Sequence, residues 1–176
     1  MTASPETPVT IEGERVLEVA GTPADRERFG WETERFTIHC HTGRLIEGRW
    51  TGTPVGPLID AAEVPGDATH VLVTATDDHV ACVEIRRLLD GLLGFVCEEV
   101  DPGHDDEEDF DDDWEDTPRL LAPNIDSFRA VRNVTSIEPI TLAPGEDPEE
   151  YEDYERKNDD GLGGEESEEA IEAPQD

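Results

Sequence analysis

Positive charge is what this sequence most lacks. Of its 176 residues only 13 are basic against 46 acidic, a formal charge of −33, and Lys157 is the sole lysine. A chain this poor in cations cannot grip nucleic-acid phosphates, which needs clustered Lys and Arg. The same balance disfavours anionic membrane surfaces. Long apolar runs are missing too, and a helical span of a bilayer needs about 20 consecutive apolar residues. The opening MTASPETPVT has neither a basic segment nor an apolar run, so no signal peptide is expected and the cytoplasm is the expected location. Cysteine is scarce: Cys40, Cys82 and Cys97 are an odd number. A disulfide framework is not expected, and free thiols fit a reducing compartment. Internal repeats, a Ser-His-Asp order, a P-loop, a dinucleotide glycine fingerprint and a C-x-x-C pair are all absent.

What is present is acid, unevenly placed. Thirteen acids fall in the 19 positions from Glu98 to Asp116, and 14 in the 27 from Glu146 to Glu172. With these runs and Asp176 set aside, 18 acids remain beside 11 Arg, so the rest of the chain carries about −7. That remainder can bury a core. The two runs cannot, because repulsion and the lack of apolar residues leave nothing to offset chain entropy. The expected organisation is a flexible lead over 1–13, one domain over 14–143 with an acidic insertion loop at 99–116, and a disordered acidic tail over 144–176. The tail is expected to be dispensable for folding and could contact a basic partner. Acid in excess with lysine almost absent also suits a salt-adapted, halophilic protein, in which carboxylates hold water while salt screens their repulsion.

Within the domain, alternation predicts a strand over Arg15–Gly21, then a loop around Pro23. Phe36, Ile38 and Cys40 alternate in a second strand that ends at the Thr42-Gly43 turn, and Leu45–Trp50 follows as an extended piece. Leu58, Ile59, Ala61 and Ala62 suit a short helix. His70–Ala75 is β-branched and apolar, hence a central strand, paired through a turn at Asp77–His79 with Val80–Ile85. The apolar spacing of Leu88–Val96 predicts a helix. Arg119–Pro123 reads as a strand, Ser127–Ala130 as a turn and Val131–Leu142 as a final strand. The fold class expected is α+β, a mixed β-sheet core with short helices.

These blocks carry a resemblance. Cys40 is followed ten residues later by Trp50, then Gly52, Pro54 and Leu58. This resembles the Cys and W-x-G-x-P/L-x-x-L-L segment of the sulfite oxidase superfamily, in its methionine sulfoxide reductase-like branch. Asp60–Ile85 resembles that family's helix, strand, turn and strand. Thr117–Pro123 resembles its G-x-P-x-R-L-x-x-P strand, and Ala130–Ile137 its closing K-W-V-x-x-I segment. The blocks stand in the family's order over about 130 residues. Asn133 replaces the usual Trp, and Asp78-His79 the usual Gly-Tyr.

The resemblance implies a molybdopterin-binding domain. Cys40 would then be the ligand of molybdenum and the catalytic residue, since a thiolate is a soft anionic donor suited to such a metal. His39, His41, Thr42 and Arg44 would donate hydrogen bonds around it, and Arg119 and Arg132 would hold the pterin phosphate. The implied activity is oxygen-atom transfer, or reduction of an oxidised substrate, with an electron-transfer partner that the sequence does not name. The alternative is a degenerate, non-catalytic relative serving as a binding or scaffold module. Each residue also has an ordinary role open to it: Cys40 as a small buried hydrophobe, Trp50 as a core anchor, Arg119 as half of an ion pair. His39 and His41 face away from Cys40 in a strand, so the His-Cys-His triplet is a poor zinc site.

Overall fold

The computed structural model describes residues 8–40, 43, 45–101 and 116–153. Ten strands and three short helices run in the order β1 (Val9–Ile11), β2 (Leu17–Val19), α1 (Pro23–Phe29), β3 (Glu32–His39), β4 (Leu45–Pro54), α2 (Val55–Ala61), β5 (His70–Ala75), β6 (Val80–Glu84), α3 (Ile85–Leu88), β7 (Leu92–Asp101), β8 (Arg119–Leu121), β9 (Ile125–Asp126) and β10 (Val134–Ile140). They form two five-stranded sheets, ordered β2-β1-β10-β5-β6 and β8-β7-β4-β3-β9. Both are mixed. In the first β1 runs parallel to β10, in the second β3 runs parallel to β9, and the other pairs are antiparallel. Side chains of both sheets share one hydrophobic core, including Ile11, Val73 and Val83 from the first and Ile38, Trp50 and Leu93 from the second. The expected α+β class is the class observed.

The second sheet must curl. β8 and β9 are its two edges, yet only Ala122, Pro123 and Asn124 separate them in sequence. Extended chain covers at most about 3.3–3.6 Å per residue, so this link reaches roughly 14 Å. A flat sheet of this size would hold its outer strands about 19 Å apart. A turn closed by the Ile125 amide on the Ala122 carbonyl, 3.2 Å, shortens the link further. The edges therefore approach each other, and the loop after β9 is brought against the end of β3.

The structure corrects several expectations. Leu88–Val96 is not a helix: α3 ends at Leu88 and β7 begins at Leu92. Leu92–Phe95 is buried throughout, and in such a run helix and strand share the same apolar pattern. Glycine at 91 and 94 permits the close packing seen here, because a Cβ would crowd the Leu121 carbonyl at Gly91 and the Trp50 side chain at Gly94. The strand also runs into the acidic stretch, where Glu98 accepts from Thr51 Oγ1 at 2.6 Å and Glu99 pairs with Arg49 at 3.0 Å. The expected loop at Pro23 is α1, capped by Thr22 and Asp25 bonding each other's backbone amides. Val9–Ile11, inside the expected lead, is a paired strand. At the other end, Pro148–Tyr151 forms a single 3₁₀ turn and Asp153 pairs with Val80. The rest of the expected insertion, 102–115, and of the expected tail, 154–176, lies outside the described residues. No helix among the described residues is long and apolar enough to cross a membrane.

Candidate functional site

Cys40 lies just past β3, at the tip of the β3–β4 hairpin. Phe36 and Ile38 precede it on the inward face and are buried. The Cys40 side chain is half-buried and packs against the core. Its carbonyl accepts from the Gly43 amide at 2.9 Å, and Gly43 takes a φ of 92°, a value that favours glycine. Ten residues on, Trp50 is wholly buried, packs at 6.5 Å from the Phe36 ring and lies over Gly48 and Gly94. The tryptophan is thus a core anchor, and it ties the base of the hairpin whose tip bears the thiol. Three of the expected partners of Cys40, namely His41, Thr42 and Arg44, lie outside the described residues.

The others meet at one loop. His39 faces outward, its Nε2 at 3.3 Å from Asn124 Oδ1, and its carbonyl accepts from the Ser127 amide. His79 Nε2 donates to the Phe128 carbonyl at 2.8 Å. Arg119, only 3% exposed, donates from NH1 to the Ala130 carbonyl at 2.8 Å. Arg132 stands half-buried with Asp77 at 3.9 Å. Residues 124–132 therefore gather side chains from β3, from β8 and from the turn between β5 and β6. Arg119 holds this loop from inside rather than presenting its charge outside. Among the described residues no group of three or more His, Cys, Asp and Glu is placed to share a metal ion.

One residue of the loop was not singled out from the sequence. Arg129 donates to Asp126 at 2.7 Å and, from Nε and NH2, to both oxygens of Glu152 at 2.8 Å. The Glu152 side chain has no solvent exposure, and it also accepts from the Cys82 amide at 2.9 Å. Burial opposes the charge on Arg129, but hydrogen bonds to and the charges of Asp126 and Glu152 outweigh it and push its pKa above the ordinary value. Burial first, then the Glu152 charge, pushes the Cys82 thiol up to about 11. The only sequence signal for Arg129 is its D-x-x-R spacing from Asp126.

The fold is similar to that of a sulfane dehydrogenase. A chain of the sulfane dehydrogenase SoxCD from Paracoccus pantotrophus superposes with a TM-score of 0.61 at 15% identity, over 83% of this chain. The chain spans 41% of the length of that SoxCD chain. No protein-family model and no curated protein matches the sequence.

Proposed function

We propose that this chain is a small molybdenum-cofactor domain of the sulfite oxidase type, with Cys40 as its single donor to the metal. The observation that carries the reading is the position of Cys40: a half-buried thiol at the tip of a hairpin whose base is locked by the buried Trp50. A fixed soft donor at a partly open position is what the metal end of the group requires. When bound, the cofactor would supply two-electron oxygen-atom chemistry, while the chain contributes orientation and electrostatics.

The cationic residues divide between two roles. Arg132, half-buried and 3.9 Å from Asp77, is the cation assigned to a pterin phosphate in this reading. Arg119 does not fit that task, because its guanidinium is buried on the Ala130 carbonyl. It is a positioning residue for the loop that carries Arg132. His39 would serve at the rim through its bond to Asn124.

A second reading has its own observation. Arg129, a cation of the same loop, is matched inside the protein by two carboxylates. That is the arrangement of a relative that keeps the fold and serves as a binding module. Molybdenum and pterin measured on protein purified from its native host separate the two. The first reading expects both, with Cys40→Ser losing metal while pterin remains and Arg132→Ala lowering pterin content. Protein holding neither group would leave the binding module.

A further inference from the structure

The last described segment is seated by one buried side chain. From Ala143 to Asp153 every residue is at least partly exposed except Glu152. The Glu146 carboxylate bonds within the segment, taking the Ala143 amide and the Tyr151 hydroxyl. The ties to the body are at its end. Asp153 exchanges backbone hydrogen bonds with Val80, at 2.6 and 2.9 Å. The Glu152 carboxylate fills a seat made of the Arg129 Nε and NH2 groups and the Cys82 amide, at 2.8 to 2.9 Å.

β6 is the outer strand of its sheet. Alternation turns the amides of Val80 and Cys82 away from β5 and those of Ala81 and Val83 towards it. The segment therefore covers a sheet edge that would otherwise present open donors. It reads that edge as an added strand does, with backbone pairing at one residue and a side chain in a pocket at the next. The seat is selective for an anion: Arg129 has one carboxylate in Asp126 and takes a second from Glu152.

We propose that the β6 edge together with Arg129 is a docking site for an extended acidic segment of a partner protein, kept closed by this chain's own residues 151–153. The partner presents a Glu to Arg129 and the Cys82 amide, and the following residue pairs with Val80. The tethered copy holds the site by effective concentration, on the order of millimolar for a short linker. A competing segment gains the site when the tethered Glu152 is lost or drawn away. This inference does not depend on whether a cofactor is bound.

The test uses the full chain at 1 M KCl, which shortens the reach of its net charge to about 3 Å. The probe is a labelled peptide of residues 146–156, followed by fluorescence anisotropy. The Glu152→Ala chain should bind it at least about tenfold tighter than the wild-type chain, the change worth 1.4 kcal/mol. A Gln at the Glu152 position of the peptide, or Arg129→Ala added to the chain, should remove that gain. Binding no tighter than wild type, or equally tight to the Gln peptide, overturns the proposal. A second measurement needs no variant. In wild-type protein the Val80 and Cys82 amides should exchange hydrogen at least about tenfold faster than those of Ala81 and Val83, because the segment opens by itself. Equal rates for all four would show that it never leaves, and would overturn the proposal even if Glu152→Ala fails to fold.

Discussion

Cys82 and Cys40 sit in different surroundings, one buried and one at a hairpin tip. Cys82 is almost wholly buried beside the Glu152 carboxylate, and both effects resist thiolate formation. Its folded pKa, about 11, stands above its ordinary value of 9.0. A proton held more tightly in the folded state adds stability that is complete below the ordinary value and is lost as pH rises through the folded one. The native state should therefore lose up to roughly 2–3 kcal/mol between pH 9 and 11, because each tenfold gain in proton affinity is worth about 1.4 kcal/mol. Urea unfolding across that range checks this, and Cys82→Ala should flatten the alkaline fall. A fall as steep in the alanine variant would assign the loss to other groups. Cys40 is half-buried at a hairpin tip, and that position makes it the candidate donor.

At the scale of elements, legibility followed how local each cause was. The hairpin bearing Cys40 was readable because alternation and the turn at Gly43 are short-range signals. The cap of α1 was also local, a Thr-Pro-Ala-Asp start, but the charged residues after it suggested a loop instead. β7 was misread as a helix because its apolar run is buried on both faces, which erases periodicity. Glu152 could not be found at all: it is one of 14 acids between Glu146 and Glu172, and its partner Arg129 lies 23 residues away. Only the folded chain distinguishes it. Its burial changes where the folded unit should be cut. Truncation after Gly145 removes Glu152 and leaves Arg129 with Asp126, whereas truncation after Asp153 keeps the clasp. Breaking a buried pair costs about 3–5 kcal/mol, and because Asp126 remains the shorter chain should lose nearer the lower figure. Urea midpoints of the two truncations decide it, and equal stability would show that the clasp adds nothing.

For the whole molecule the dominant number is the charge of −33. Salt acts on it in two directions. It weakens favourable pairs such as Arg15–Glu63 at 2.7 Å and Arg86–Glu84 at 2.9 Å, both well exposed. Exposed pairs of this kind are worth about 0–1 kcal/mol each, so their loss is small. It also screens the mutual repulsion of the carboxylates, which destabilises any compact state. The buried clasp of Arg129 with Asp126 and Glu152 is screened far less than either. Repulsion is therefore the larger of the salt-sensitive contributions, and raising salt should stabilise the fold. The Debye length falls from about 10 Å at 0.1 M to about 3 Å at 1 M, so most of the gain should come below 1 M. A gain of a few kcal/mol would raise the melting temperature by roughly 5–10 °C in a chain of this size. Thermal unfolding followed from 0.1 to 2 M KCl tests this. A melting temperature that stays level or falls would mean that the exposed pairs outweigh the repulsion, and the salt-adapted reading of the composition would fail.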